Sequence, residues 1–447
     1  MKNLAPKLSL KEYENNFAEL HPPFTPLTAK AEAERCLYCY DSPCTKSCPT
    51  HIDIPAFIKK ISTDNLLGSA KTILDSNWVA LTCAKACPVE VLCEGACVYN
   101  DKGEKPIEIG RLQRYAMDNY FRNSSPNIFT FSKKKNKSVG IIGSGPAGLA
   151  CSAELTLLGY DVIIYEANKI PGGLNTWGIA PYKTRRQDSL KEIKLIKSLG
   201  VKIKTGIKVG ETVSVEDIIK KHDAVFLGVG LGKSSELEIP GEELKGVYNA
   251  INFIEKVKSE NWNSVKVGKR VAIIGAGNTS IDAATEAKRL GAEQVYIIYR
   301  RDTSQMSAYD FEFLLAKKDE ILFYFNSAPK KIVGKKYVEG IECIKTKLIS
   351  KGLKDKPKLT VIPKSEFIIP VDMVIKAIGQ KSHNNFLNSI KELKMRDGKV
   401  VVNKKNYQTG NAKVFAGGDC INGGKEVVNA AYDGKMAAHG IDEYLSN

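Results

Sequence analysis

Residues Ser138–Glu166 read SVGIIGSGPAGLACSAELTLLGYDVIIYE, an apolar run, a glycine-rich turn, an alanine-rich helical pattern and a second apolar run ending on a carboxylate. That order is one strand–turn–helix–strand unit. Gly143 permits the tight turn after the strand, Gly145 lets the backbone approach a pyrophosphate, and Gly148 lets the helix pack on the strand. Pro146 and Ala147 open the helix, whose free N–H groups and partial positive charge attract an anion. Glu166, at the end of the second strand, stands where a carboxylate can bind both ribose hydroxyls of a dinucleotide. A lone G-x-G-x-x-G is a weak signal. Here every flanking element agrees with it.

The plan recurs about 130 residues later in KRVAIIGAGNTSIDAATEAKRLGAEQVYIIYR, from Lys269. Two copies of one unit imply two dinucleotide-binding lobes. The second turn has Gly275 and Gly277, then Asn278 and Thr279 at the helix start, with Ser280 where a third small residue belongs. Its second strand ends in Arg300 and Arg301 instead of an acid. Losing the carboxylate removes repulsion of a 2′-phosphate, and guanidinium groups can bind that phosphate in bidentate fashion. NADPH is therefore favoured over NADH, although two solvated arginines would look the same in sequence.

A third glycine cluster, KVFAGGDCINGG from Lys413, lies too far on to belong to the second lobe. With Gly418 and Asp419 it returns to the first lobe, where the carboxylate can hold a flavin's ribityl hydroxyls. A helix from about Glu426 follows, its N-terminus suited to the electron-rich end of the ring system. The alternative is an aspartate that only caps that helix. The expected architecture is α/β, with the second Rossmann-like lobe inserted in the first. The FAD lobe spans 136–246 and 382–447 and the NAD(P)H lobe 247–381, with crossings around Tyr248 and Ile378.

Upstream, residues 1–125 read as an all-α domain. Ile54, Phe57, Ile58 and Ile61 share a helical face, Leu66, Ala70, Ile73 and Leu74 continue in a second helix, and IEIGRLQRYAMDNYF is a further one. The run RNSSPNIFTFSKKKNKS, with Pro126, reads as a linker. Eight of the eleven cysteines lie between Cys36 and Cys97, as C-x2-C-x4-C-x3-C-P and C-x3-C-x5-C-x3-C. Disulfides do not suit a large chain expected in the reducing cytoplasm. Zinc sites use close cysteine pairs too. A Cys-Pro closing a cysteine run is instead a feature of two-cluster ferredoxin-type sites, and zinc has no redox chemistry to offer a flavin.

The formal charge is +16, from 66 Lys and Arg against 50 Asp and Glu. The lysines are spread among acids along the whole chain, which argues for a solvated surface and against a nucleic-acid groove. The denser SKKKNK and KGLKDKPK runs read as surface loops. No apolar run approaches the ~20 residues that span a bilayer, and the charged start MKNLAPKLSLKEYENNFAEL lacks the apolar stretch of a signal peptide.

The cysteine stretch followed by HIDIPAFIKKI, then CPVEVLCEGACV and the doubled nucleotide unit, resembles the N-terminal half of dihydropyrimidine dehydrogenase and the separate bacterial subunit corresponding to it. The glutamate synthase small subunit is a more distant likeness. The resemblance implies one 4Fe–4S cluster on Cys36, Cys39, Cys44 and Cys97. It implies a second on Cys48, Cys87, Cys93 and Gln113, with Cys83 spare. In GGLNTWGIAPYK, Gly173 and Leu174 fall in the flavin site, and Lys183 stands where the animal enzyme has an arginine. Ser307 replaces one of its NADPH-binding arginines, leaving the phosphate to Arg300 and Arg301.

The resemblance also implies a function. A nicotinamide delivers two electrons as hydride, FAD accepts it, and single electrons pass to the clusters. An FMN-containing partner with a pyrimidine-reducing barrel then reduces uracil or thymine, since no such centre has room in this chain. The alternatives are the small subunit of glutamate synthase or a related complex, and an electron-transfer adaptor with no substrate of its own.

Overall fold

The computed structural model describes residues 3–122, 127–349 and 358–446. Part of the expected linker, with Pro126, and most of the run from Lys351 lie outside the described residues. Two compact units divide the chain. One holds Leu20–Thr176, Lys183–Lys233 and Lys381–Asn447; the other holds the residues up to Glu19, Trp177–Tyr182 and Ser234–Gln380.

In the first unit, the cysteine region is helical. Asp53 starts the helix Ile54–Ser62 by accepting the Ala56 N–H at 3.1 Å, satisfying an otherwise orphaned donor. Ile54, Phe57, Ile58 and Ile61 are all buried on it, each worth about 1.5–3 kcal/mol of transfer free energy. Leu66–Leu74, Ala80–Ala86 and Ile109–Arg122 complete the packing. The glycine turn of the first fingerprint sits at the end of a five-stranded parallel sheet, ordered Val414–Ala416, Ala224–Leu227, Ser138–Ile142, Asp161–Glu166, Lys202–Thr205. The strand Val414–Ala416 returns to this sheet after the whole insertion, pairing with Val225–Leu227. The helix Val427–Ser446 then lies on Pro146–Leu157.

The second unit has its own parallel sheet, Val247–Asn249, Met373–Lys376, Arg270–Ile274, Gln294–Ile298, Leu322–Tyr324. A three-stranded antiparallel sheet, Ser327–Val333, Gly340–Ile349 and Lys358–Ile369, follows it. The expected architecture does not include this sheet. Three boundaries also differ from the expected ones. The first crossing falls between Lys233 and Ser234, not around Tyr248. The segment up to Glu19 belongs with the second unit, because Phe17 stacks on Trp262 with ring centres 4.7 Å apart and Asn3 donates to Asp372 at 2.9 Å. Trp177–Tyr182 joins it too, since the buried Tyr182 hydroxyl needs a partner and donates to Asp282 at 2.7 Å. Among the described residues no helix is long and apolar enough to cross a membrane.

Gly434 is where the C-terminal helix meets the first fingerprint: a Cβ there would lie 2.0 Å from the Ala147 carbonyl oxygen. Gly434→Ala should therefore lower unfolding stability by about 1–3 kcal/mol and weaken FAD retention, as read by urea denaturation and flavin content. Unchanged values for both would show that the helices can part at no cost.

Candidate functional site

Cys36, Cys39, Cys44 and Cys97 line one cavity, walled by Ile54, Ile58, Ile107 and Ile109. Four thiols from two distant stretches thus converge in an apolar basin. The loop between them is strained: Tyr38 has φ 50° and Ser42 φ 32°, a region that costs non-glycine residues of order 1 kcal/mol or more each. Tyr38 is held there by its hydroxyl, which donates to the Ala33 carbonyl at 3.1 Å, and by the Lys59 ammonium over its ring. Burial pushes the Cys44 thiol up to about 11 and raises Cys36 as well. These thiols stay protonated near neutrality unless a cation lies among them, so loading iron must release protons.

Cys87 lies beside Cys83, one helical turn earlier, and within electrostatic reach of Cys93 and Cys48. Contact with Cys83 and burial push Cys87 well up, and burial does the same for Cys93. Cys83, expected as the spare, lies against Cys87. Gln113 is buried, and its Nε2 donates to the Ala80 carbonyl at 2.8 Å, at the start of the helix carrying Cys83. Among the described residues no three His, Cys, Asp or Glu side chains close on a single-ion site.

In the first glycine turn, Gly143 has φ +97°, and a Cβ there would meet the Gly228 carbonyl oxygen at 2.4 Å. A Cβ on Gly145 would meet nothing within 4 Å. That is the open space a pyrophosphate needs in front of the helix starting at Pro146. The Glu166 carboxylate is buried and accepts the backbone N–H groups of Ser144, at 3.0 Å, and Asn168, at 2.7 Å, together with the Ser144 hydroxyl. The Ser144 hydroxyl oxygen also accepts the Gly172 N–H at 2.9 Å. Glu166 therefore braces the turn against the next loop, an engagement the sequence did not announce. Gly173 lies on Gly145, leaving no room for a Cβ, while Leu174 is partly exposed and Lys183 half-buried.

At the C-terminal cluster, Asp419 accepts the Lys425 N–H at 3.3 Å, and burial raises its carboxyl. Gly418, at φ +76°, donates its N–H to Asp433 at 3.0 Å. Asp433 also accepts from the Tyr407 hydroxyl at 3.1 Å. Asp433 was not visible as a site residue, because nothing in sequence ties a helix-interior acid to a turn fifteen positions earlier.

The second turn differs in detail. Gly275 has φ +124° and faces the Ala377 carbonyl, so a Cβ would come within 2.3 Å of that oxygen. Gly277 lies close to the Ser307 hydroxyl. Ser280 adds hydrogen bonds where a glycine would only make room: its oxygen accepts the Gly277 N–H at 3.3 Å and its hydroxyl donates to Ala377 at 3.4 Å. Asn278 accepts the Tyr309 N–H at 3.1 Å, holding the following loop over the helix start, where Thr279 is half-buried. The Arg300 carbonyl accepts from the Thr346 hydroxyl at 2.8 Å and that of Arg301 from the Asn326 N–H at 3.0 Å. Both arginines thus leave a fixed turn, Arg300 exposed and Arg301 half-buried.

A buried polar contact joins the cysteine helix to the flavin lobe. Glu192, 1% exposed, accepts the Thr82 N–H at 2.9 Å and lies 2.5 Å from the Thr82 hydroxyl. Lys85 pairs with Asp188 at 2.9 Å, both side chains under a tenth exposed.

The site therefore defines a class: a flavin- and pyridine-nucleotide-binding oxidoreductase fronted by an iron–sulfur domain. The family model for dihydropyrimidine dehydrogenase domain II, 4Fe-4S cluster, matches residues 13–125, and that for pyridine nucleotide-disulphide oxidoreductase matches 137–434. The chain belongs to the pyridine nucleotide-disulphide oxidoreductase family, in the branch that carries this 4Fe-4S domain, and is an NAD(P)H-dependent flavin oxidoreductase. It is 34% identical to the NAD-dependent dihydropyrimidine dehydrogenase subunit PreT of Escherichia coli, over 97% of this chain and 98% of that one. It is 32% identical to the glutamate synthase [NADPH] small chain of the same organism, over 98% and 96%. The glutamate synthase likeness is thus hardly more distant than the other. Mycobacterium tuberculosis FprA in complex with NADPH shares the fold, with TM-score 0.57 and 20% identity over 70% of this chain and 85% of that one.

Burial pushes the Glu192 carboxyl up to about 8 from its ordinary 4.5. A raised folded value favours the neutral form, so this contribution to stability is complete below about pH 4.5 and is lost as pH rises towards 8. Wild type should lose urea resistance relative to Glu192→Gln across that window. Parallel pH profiles would show that the carboxyl ionises freely in the fold.

Proposed function

We propose that this chain is the electron-input subunit of a two-protein dihydropyrimidine dehydrogenase, working in the cytoplasm beside an FMN-containing partner that reduces uracil or thymine. The overall reaction is NAD(P)H + H⁺ + uracil → NAD(P)⁺ + 5,6-dihydrouracil. The observation that carries the reading is the thiol basin standing in one chain with two nucleotide cradles. Flavin and clusters, when bound, supply the conversion of a hydride's two electrons into single-electron steps.

The residues divide the remaining work. Gly143, Gly145, Pro146, Ala147, Gly148 and Glu166 hold the FAD pyrophosphate and ribose side, with Gly173, Leu174 and Lys183 along the flavin and Gly418–Asp419 at its ribityl chain. Gly275, Gly277, Asn278 and Thr279 take the nicotinamide dinucleotide, and Arg300 with Arg301 the 2′-phosphate. Cys36, Cys39, Cys44 and Cys97 ligate one cluster, and Cys48, Cys87, Cys93 and Gln113 the other. The closeness of Cys83 to Cys87 makes Cys83 the rival of Gln113. Gln113→Ala should deplete iron and alter one cluster EPR signal while Cys83→Ala leaves both signals; the opposite pattern hands the position to Cys83.

A second reading, the small subunit of a glutamate synthase, is favoured by the near-equal identity to that chain. Alone, the protein should oxidise NAD(P)H with dyes and leave uracil untouched. With the FMN-bearing partner it should give dihydrouracil, and Cys36→Ser should abolish that while sparing dye reduction. Glutamine-dependent glutamate formation with a different large subunit would decide for the second reading.

The relatives' names divide between NAD and NADPH. If the arginines read the 2′-phosphate, Arg301→Ala should raise KM for NADPH by about ten- to a hundredfold, one charge-assisted contact of about 1.5–3 kcal/mol, and barely move that for NADH. Equal effects would assign both arginines to solvent.

A further inference from the structure

The helix Ala80–Ala86 runs directly into Cys87 and is gripped from the helix Arg186–Ser198 at two points. Thr82 and Lys85 lie three residues apart on one face, and Asp188 and Glu192 lie four apart on the face opposite. Glu192 engages both the N–H and the hydroxyl of Thr82. Lys85 meets Asp188 one turn away.

We propose that Glu192 and Asp188 are positioning residues for electron transfer between the flavin site and the clusters, fixing the rotation and axial position of the cysteine helix against the flavin lobe. The proposal rests on the electron-input reading above. One electron moves between the two bound groups, and no bond forms or breaks.

Stability alone is a poor reason for this arrangement, since a buried ion pair is often no better than well-packed apolar residues of the same volume. What a two-point grip on one residue does is admit a single register. A slide or rotation of the helix would break both Thr82 bonds at once and part Lys85 from Asp188. The same turn of Arg186–Ser198 also holds the flavin loop. Asp188 accepts the Arg185 N–H at 3.1 Å, and the Ser189 hydroxyl lies 2.8 Å from that of Thr176. Thr176 in turn donates to the Pro171 carbonyl at 2.8 Å, next to the Gly172–Gly173 pair seated on Gly145. Through the adjacent residues Asp188 and Ser189, the helix Arg186–Ser198 thus holds the flavin loop on one side and the helix that ends in Cys87 on the other. Electron-transfer rates fall exponentially with separation, so holding this distance has a kinetic consequence that folding stability does not.

The test uses the full holoprotein. A flash-generated one-electron donor reduces it, and the redistribution of the electron between clusters and flavin is followed optically. Iron and FAD contents are measured in parallel. Glu192→Leu should keep iron and FAD yet slow redistribution about tenfold or more. Glu192→Gln, which preserves both Thr82 bonds, should keep the wild-type rate. Thr82→Val, losing only the hydroxyl bond, is the milder variant and should fall between them. Wild-type rates in Glu192→Leu and Thr82→Val overturn the proposal, as does loss of iron and flavin in step with rate in both, which would mean a purely structural contact. If wild type itself shows no redistribution, the electron-input reading fails instead.

Discussion

Four thiolates cannot crowd one half-buried, apolar-walled basin unless positive charge sits among them. Burial already holds Cys44 far above the pH of a cell, and each further thiol that ionised would raise its neighbours. The wall of isoleucines around Cys36, Cys39, Cys44 and Cys97 sharpens this, because apolar side chains cannot share the charge. The domain's backbone is arranged around the same constraint: Tyr38 and Ser42 accept left-handed geometry to turn the cysteine loop inward. A basin that gathers four thiols behind apolar side chains, with Cys36 and Cys44 raised by burial, suits the 4Fe-4S cluster of this domain family.

The nucleotide cradles obey the complementary rule. They gather donors around an anion, and backbone must come closer than side chains permit. Gly148 and Gly434 each lie 2.0 Å, measured from a would-be Cβ, from a carbonyl of the first turn or its helix. One close approach sets the helix on the strand, and the other sets the C-terminal helix on that helix. Glu166, Ser144 and Gly172 then lock the turn to the next loop. The Thr82–Glu192 and Lys85–Asp188 contacts extend that rigidity to the cysteine helix.

Much of this was legible in the residues. The glycine spacing of GSGPAG and GAGNTS, the return of VFAGGDC to the first sheet and the helical face of Ile54, Phe57, Ile58 and Ile61 all follow from local geometry that sequence encodes directly. What was not legible depends on contacts between distant positions. Asp433 and Glu192 are helix-interior acids with nothing around them to mark a role, and the N-terminal segment gave no sign that Phe17 would seek Trp262. The first crossing is expected around Tyr248, whereas the chain changes unit earlier, in the glycine- and serine-rich stretch around Lys233. The cysteine runs carried their chemistry but not their pairing.

Two four-iron clusters and a flavin are expected together in this one chain. The most direct measurement is the metal, sulfide and flavin content of the protein purified without oxygen. About eight irons, a matching amount of acid-labile sulfide and one FAD per chain are expected. Stoichiometric zinc without acid-labile sulfide would contradict the account at its base.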